Sequence, residues 1–379
     1  MTLATQNSTG TQNVDSRQSQ QPVVGNLPST MRAAVLFGPG DFRIVDKPVP
    51  QPGPAEVLVK VAMCGTCGTD LKIQAHPFPG QPPFGEFTPG HEWTGTIVAL
   101  GEGVDEFAVG DRVAIEAHKG CGRCENCIVG KYTACLNNGN RAKGHRATGF
   151  TADGGFAEYA VHHINALYKM PDSISWEDAV LVTTAGTGLY GLDVAGGFIA
   201  GESVVVIGPG PVGLMTVQVA KALGAGQVIL VGTRDSRLEL GKSLGADVVI
   251  NSRQEDPVAA VKRLVGKYGA DMVIESSGAP DAPQQCVEMV RRAGRLLFLA
   301  FYRDKVTFDL SSAIQNDVTL YTSRGEGGGN VKRALSLAAQ GKIRGRDLVT
   351  HHFPLDQINE GFRVVREREG DPIKVVFVP

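Results

Sequence analysis

Residues 121–135 read CGRCENCIVGKYTAC and hold four of the chain's seven cysteines. Cys121, Cys124, Cys127 and Cys135 follow the spacing C-x2-C-x2-C-x7-C. Two-residue gaps let successive thiolates turn towards one centre, and Gly122 and Gly130 permit the tight turns this needs. Four soft donors fill a tetrahedral shell and leave no open position, so the spacing predicts a structural zinc ion rather than a catalytic one. An iron–sulfur cluster, or four reduced surface thiols, are the competing readings. Such a lobe is stapled by its metal and says nothing yet about a reaction.

Two further segments carry donors: CGTCGTDLK at 64–72 and GHEWTG at 90–95. A cysteine and a His–Glu pair on neighbouring β-rich segments can supply a zinc site with an open position. Either alone is ambiguous, since a lone cysteine is commonly a small core residue. A third segment, VVVIGPGPVG, sets Gly208, Gly210 and Gly213 in the pattern G-x-G-x-x-G, with Pro211 and Val212 between them. It follows an apolar strand and opens a helix, the context that dinucleotide binding requires. Gly208 allows the tight turn, Gly210 lets a pyrophosphate approach the backbone, and Gly213 lets the helix pack closely. The phosphates then face unpaired N–H groups at the helix start. An acidic residue at the end of the next strand would hold the ribose hydroxyls of NAD. Gly232 stands there instead, followed by Thr233 and Arg234. That leaves room for a 2′-phosphate, with a hydroxyl and a guanidinium to bind it, and favours NADP over NAD. Asp235 is the contrary sign, because a shifted loop could turn its carboxylate towards the ribose.

These residues must be positioned by more than one folding unit, because 379 residues exceed what a single core supports. From 31 to about 185 the sequence gives short β runs broken by Gly and Pro, notably 33–37, 56–64, 94–101 and 111–117, and the cysteine lobe falls within it at 118–140. From 186 to 323 apolar strands alternate with amphipathic helices, which predicts an α/β unit with a doubly wound parallel sheet. Residues 324–379 hold two helical patterns and a final strand, expected to pack back on the β-rich part. Residues 1–30, rich in Ser, Thr, Gln and Asn with no apolar segment of a secretory signal, read as a disordered tail. A net charge of −2 and a pI near 6.5 argue against nucleic-acid binding. No apolar run reaches the length of a membrane span. The expectation is a cytoplasmic protein, with Cys64 and Cys286 as core residues.

The order C-G-T-D, G-H-E, four-cysteine lobe, G-G-F-A-E-Y and dinucleotide turn resembles the zinc-dependent medium-chain alcohol and polyol dehydrogenase family over residues 31–379. The resemblance implies a GroES-like catalytic domain, a Rossmann domain, and hydride transfer between an alcohol and NAD(P). It makes Cys67, rather than Cys64, the first ligand of a catalytic zinc and His91 the second. It has Asp70 fix the His91 tautomer, Thr69 take the substrate proton, and Lys72 stand where a relay histidine is common. The family's third ligand position falls on Thr183 or Thr184, a poor donor, so charge counting favours Glu92 as third ligand. Glu158 is a further candidate, better explained as a surface carboxylate. Lys374 matches a basic position that reaches the pyrophosphate. The motif set resembles polyol, sugar or threonine dehydrogenases more than primary-alcohol enzymes, and a homodimer or homotetramer is implied. A zinc-free carbonyl or alkene reductase of the same fold, and a non-enzymatic redox sensor, are the alternatives.

Overall fold

The structure, a computed structural model, describes residues 27–379. Most of the expected tail, residues 1–26, lies outside the described residues. Strands β1 (Thr30–Gly38) and β2 (Asp41–Pro48) form an antiparallel hairpin. β3 (Glu56–Gly65), β4 (Glu92–Leu100) and β5 (Arg112–Ile115) pair successively and antiparallel. Helix α1 (Gly68–Ala75) sits in the β3–β4 connection. Short strands β6 (His118–Gly120) and β7 (Arg146–Ala147) bracket the cysteine lobe, which carries α2 (Glu125–Ile128). β8 (Tyr159–His163) pairs with β3, and β9 (Leu167–Lys169) with β5.

α3 (Trp176–Ala179) and α4 (Val182–Val194) lead into six strands: β10 (Ser203–Ile207), β11 (Gln227–Gly232), β12 (Val248–Asn251), β13 (Ala270–Glu275), β14 (Val290–Phe298) and β15 (Thr319–Thr322). All five pairings are parallel and the order is β12-β11-β10-β13-β14-β15. The intervening helices are α5 (Pro211–Ala222), α6 (Asp235–Ser243), α7 (Pro257–Val265), α8 (Ala282–Met289) and α9 (Leu310–Gln315). Val204–Val206 are fully buried because apolar layers cover both faces of the sheet. The chain order reverses at β10, and a ligand crevice belongs at that switch point.

After α10 (Asn330–Ala339) come β16 (Val349–Pro354), α11 (Ile358–Glu367) and β17 (Lys374–Val378). β17 pairs with β3, so the last residues complete a seven-stranded sheet with the first unit. Phe42, Phe156, Phe362 and Phe377 pack ring to ring beneath it. Among the described residues no helix is long and apolar enough to cross a membrane.

Helix α8 ends at Met289, and strand begins at Val290. There Ala293 takes φ +53° and the β13–β14 register shifts, a bulge that periodicity does not reveal. Strands β15 and β16 are short and their apolar alternation is weak, so pattern reading missed them.

Candidate active site

Three strand ends converge: the end of β3, the start of β4 and the start of β17, with Gly65 facing Glu92 in register and Val376 in register with Gly65. Cys67 caps the N-terminus of α1, and Asp70 three residues on accepts its backbone N–H at 2.8 Å. The other oxygen of Asp70 stands 3.2 Å from His91 Nδ1, within ion-pair reach but out of line for a hydrogen bond. Asp70 thus ties the Cys67 backbone to the His91 ring. Ligand atoms of Cys67, His91 and Glu92 lie within 4.8 Å of one another. His91 and Glu92 are buried, whereas Cys67 is half-buried, so the centre opens on the Cys67 side. The thiol of Cys67 lies 3.6 Å from the Thr69 hydroxyl. Burial would lower the His91 pKa, but Asp70 and then Cys67 raise it well above the usual value.

Glu92 is held from two further sides. Thr184 donates its hydroxyl to Oε1 at 3.4 Å. Lys374 Nζ donates to Oε2, and to the Thr66 carbonyl at 2.9 Å. This corrects the reading of Lys374 as a pyrophosphate contact. Its side chain is 2% exposed, and its ammonium is drawn into the wall of the metal centre by the Glu92 carboxylate. Thr183 turns away and donates to the Ile115 carbonyl at 3.1 Å. Glu158 receives the backbone and side chain of Arg32 at 2.8 and 3.0 Å and takes no part. With Cys67 bound as a thiolate and His91 as a neutral imidazole, the Asp70 and Glu92 carboxylates and the Lys374 ammonium would leave two negative charges for a divalent ion to neutralise. The donor set therefore fits zinc.

The lobe cysteines also lie within 4.8 Å of one another. Cys121–Cys127 and Cys124–Cys135 sulfurs are 3.9 and 4.0 Å apart, close to the ~3.8 Å edge of a tetrahedron with 2.3 Å Zn–S bonds. Asn137, unremarked in the sequence, donates its amide to Cys121 Sγ at 3.2 Å and is the chief cause that lowers this thiol's pKa to about 5. A thiolate is thus favoured at Cys121, whereas burial raises the thiols of Cys127 and Cys135.

At the dinucleotide turn, Gly208 has φ +104° and a Cβ on it would stand 2.7 Å from Ser277 Cα. A Cβ on Gly213 would stand 1.9 Å from the Gly208 carbonyl oxygen. Gly210, which caps α5 ahead of Pro211 and Val212, has nothing within 4 Å of that position. The turn is closed where the chain packs on itself and open where a pyrophosphate would lie.

The zinc-binding dehydrogenase profile matches residues 211–340, and the alcohol dehydrogenase GroES-like domain profile matches 53–172. L-threonine 3-dehydrogenase of Pyrococcus horikoshii is 38% identical over 345 residues, covering 88% of this chain and 94% of its own. Sorbitol dehydrogenase of Halalkalibacterium halodurans is 33% identical over 346 residues, with 90% and 97% covered. The chain belongs to the zinc-dependent medium-chain alcohol and polyol dehydrogenases. Its fold matches a zinc-binding dehydrogenase of Sinorhizobium meliloti bound to NADP, with a TM-score of 0.84, 29% identity, and 93% and 100% of the two chains covered. It also matches an alcohol dehydrogenase of Escherichia coli in complex with NADH, with a TM-score of 0.82, 27% identity, and 93% and 100% covered. This dehydrogenase is accordingly a zinc-dependent oxidoreductase of alcohols or polyols that uses a nicotinamide cofactor.

The wall of the dehydrogenase's cleft at Phe150 gave no sequence signal. Phe150 stacks between His91 and His118, at centroid distances of 4.4 and 5.6 Å. Behind it Glu116 accepts from the Tyr168 hydroxyl at 2.9 Å, and burial, then the charge of Glu326, push Glu116 up to about 7. Across the cleft, Lys72 donates to the Phe301 carbonyl at 3.3 Å and lies 5.1 Å over its ring. At the ribose end, a Cβ on Gly232 would stand 2.5 Å from Pro209 Cγ, so the room expected beside Gly232 is filled by the Pro209 ring. Asp235 accepts from Asn251 at 2.7 Å. Thr233 is exposed, and Arg234 pairs with Asp371.

Proposed function

We propose that this dehydrogenase oxidises the secondary hydroxyl of an alcohol, polyol or sugar, or reduces the matching ketone, with NADP as its preferred cofactor. The observation that carries the reading is the Cys67–His91–Glu92 set, with Asp70 joining Cys67 to His91 and the centre open on the Cys67 side, beside Thr69. When bound, zinc supplies Lewis acidity towards the substrate oxygen and the nicotinamide accepts or returns the hydride. Cys67, His91 and Glu92 would hold the ion, with Asp70 fixing the imidazole and Thr184 and Lys374 fixing the carboxylate. The Thr69 hydroxyl accepts the proton that the substrate hydroxyl gives up as Thr69 releases its own towards solvent on the open side of the centre. Cys121, Cys124, Cys127 and Cys135 would hold a second, structural ion. Gly208, Gly210 and Gly213 would seat the pyrophosphate on the N-terminus of α5.

The preference for NADP is supported by the engagement of Asp235 with Asn251 and by Arg234 at the start of α6. The division at 185/186 and 323/324 is supported by the change from antiparallel to parallel pairing and by the return of β17 to β3. A homodimer or homotetramer is supported by the open sheet edge at β15 and the exposed side chains of Leu310 and Ile314. A cytoplasmic setting suits two centres that need reduced thiols.

Steady-state kinetics with sorbitol, 2,3-butanediol, a primary alcohol and L-threonine against both cofactors tests the reading. The expected result is turnover of a secondary hydroxyl, with kcat/KM at least about 10-fold higher for NADP, the effect of one charge-assisted contact. Full carbonyl or alkene reduction by Cys67→Ser protein would instead identify a zinc-free reductase.

A further inference from the structure

The phosphate-binding end of the cofactor pocket already contains an anion. Asp371 belongs to the connection between α11 and β17, far in sequence from the nucleotide fold. Its Oδ1 accepts from Arg234 and, at 3.0 Å, from Arg237 Nε. Its Oδ2 accepts from Ser236 Oγ at 2.6 Å. Arg237 also donates to the Pro372 carbonyl at 2.6 Å, which anchors the connection over the start of α6. Arg234, Ser236 and Arg237 cap and open the helix that follows β11, where a dinucleotide fold holds the adenosine ribose. Two guanidiniums, a hydroxyl and a helix N-terminus are the donors that a phosphate monoester would use. Here both carboxylate oxygens of one aspartate occupy the two guanidiniums and the hydroxyl.

We propose that Asp371 is a built-in stand-in for the cofactor's 2′-phosphate, which must be displaced before NADP(H) binds and which thereby sets discrimination between the two nicotinamide cofactors. The proposal rests on the reading of Arg234 as facing the ribose. A 2′-phosphate brings nearly two negative charges to the same donors and displaces the single charge of Asp371. NAD(H), with no such group, leaves the aspartate in place. Each molecule of NADP(H) therefore binds more weakly than its contacts with two arginines would give, by the free energy of breaking the Asp371 contacts. Asp371 takes φ +52°, a conformation that asparagine and glycine also tolerate, so its charge can be removed without forcing the backbone.

Calorimetric titration of the full, zinc-loaded chain with adenosine 2′,5′-bisphosphate and with adenosine 5′-monophosphate tests this without turnover. Asp371→Asn is expected to tighten the bisphosphate about 10-fold, the release of one charge-assisted contact, and to change the monophosphate by less than about 2-fold. Asp371→Gly should repeat the result and serves if the asparagine variant folds poorly. An unchanged or weakened bisphosphate overturns the proposal. Equal tightening of both ligands also overturns it, since the aspartate would then act on the adenosine pocket as a whole. A wild-type chain that binds the two ligands equally, with a gain for the bisphosphate alone in Asp371→Asn, sustains the proposal while removing the NADP preference. If Arg234→Ala leaves bisphosphate binding unchanged, the phosphate site is misplaced and the proposal falls with it.

Discussion

Lys374 places its ammonium beside the Glu92 carboxylate where neither reaches water. Removing one partner of such a pair strands the other charge, which costs roughly 3–5 kcal/mol. Lys374→Met is therefore expected to lower Tm markedly in thermal denaturation of the zinc-free chain, and Lys374→Arg to restore part of the loss. A Tm for Lys374→Met equal to that of wild type would show the pair to be incidental. Glu116 behaves in the opposite sense. Its folded pKa of about 7 lies above the ordinary 4.5, so ionising it weakens the fold. The penalty is full above about pH 7, shrinks as the pH falls, and vanishes below 4.5, with a ceiling on the order of 3 kcal/mol. Glu116→Gln should accordingly raise Tm at pH 8 and leave it unchanged at pH 4.5. An equal gain at both pH values would place the effect in packing rather than charge.

The elements explain which features could be read from sequence. Cys67, Thr69 and Asp70 share one cap and helix turn, His91 and Glu92 adjoin at a strand start, and the four lobe cysteines sit on one loop. Each motif is local, so spacing alone exposes it. Lys374 meets Glu92 from 282 positions away, and Asp371 meets Arg234 from 137. Those contacts exist only because β17 pairs with β3 and because the connection ahead of it crosses α6, and no local pattern encodes either. Phe150 and Asn137 had no signal for the same reason, since their partners are set by loop paths. The dinucleotide turn offers a test at this scale. Gly210→Ala meets no atom and should leave the Tm of the cofactor-free chain unchanged, while weakening adenosine-nucleotide binding by about 10-fold or more through intrusion on the pyrophosphate. Gly213→Ala drives a methyl into the Gly208 carbonyl and should lower Tm as well. Equal Tm losses in both would contradict the view that only one glycine is kept free for a ligand.

Across the whole molecule, the cleft is bounded by α1 and the strand ends on one side and by the loop after β14 on the other, with Lys72 meeting Phe301 between them. The metal centre, the dinucleotide turn and the lobe occupy separate elements, so they can be disabled one at a time. The claim on which the rest depends is that Cys67, His91 and Glu92 form a second zinc centre distinct from the lobe. Metal analysis of the wild-type chain and of Cys67→Ser, paired with dehydrogenase turnover and Tm, tests it most directly. The account predicts two zinc ions per wild-type chain, one per Cys67→Ser chain, loss of turnover in the variant and a Tm that stays close to wild type. Two zinc ions retained in Cys67→Ser, or undiminished turnover with one, would contradict it.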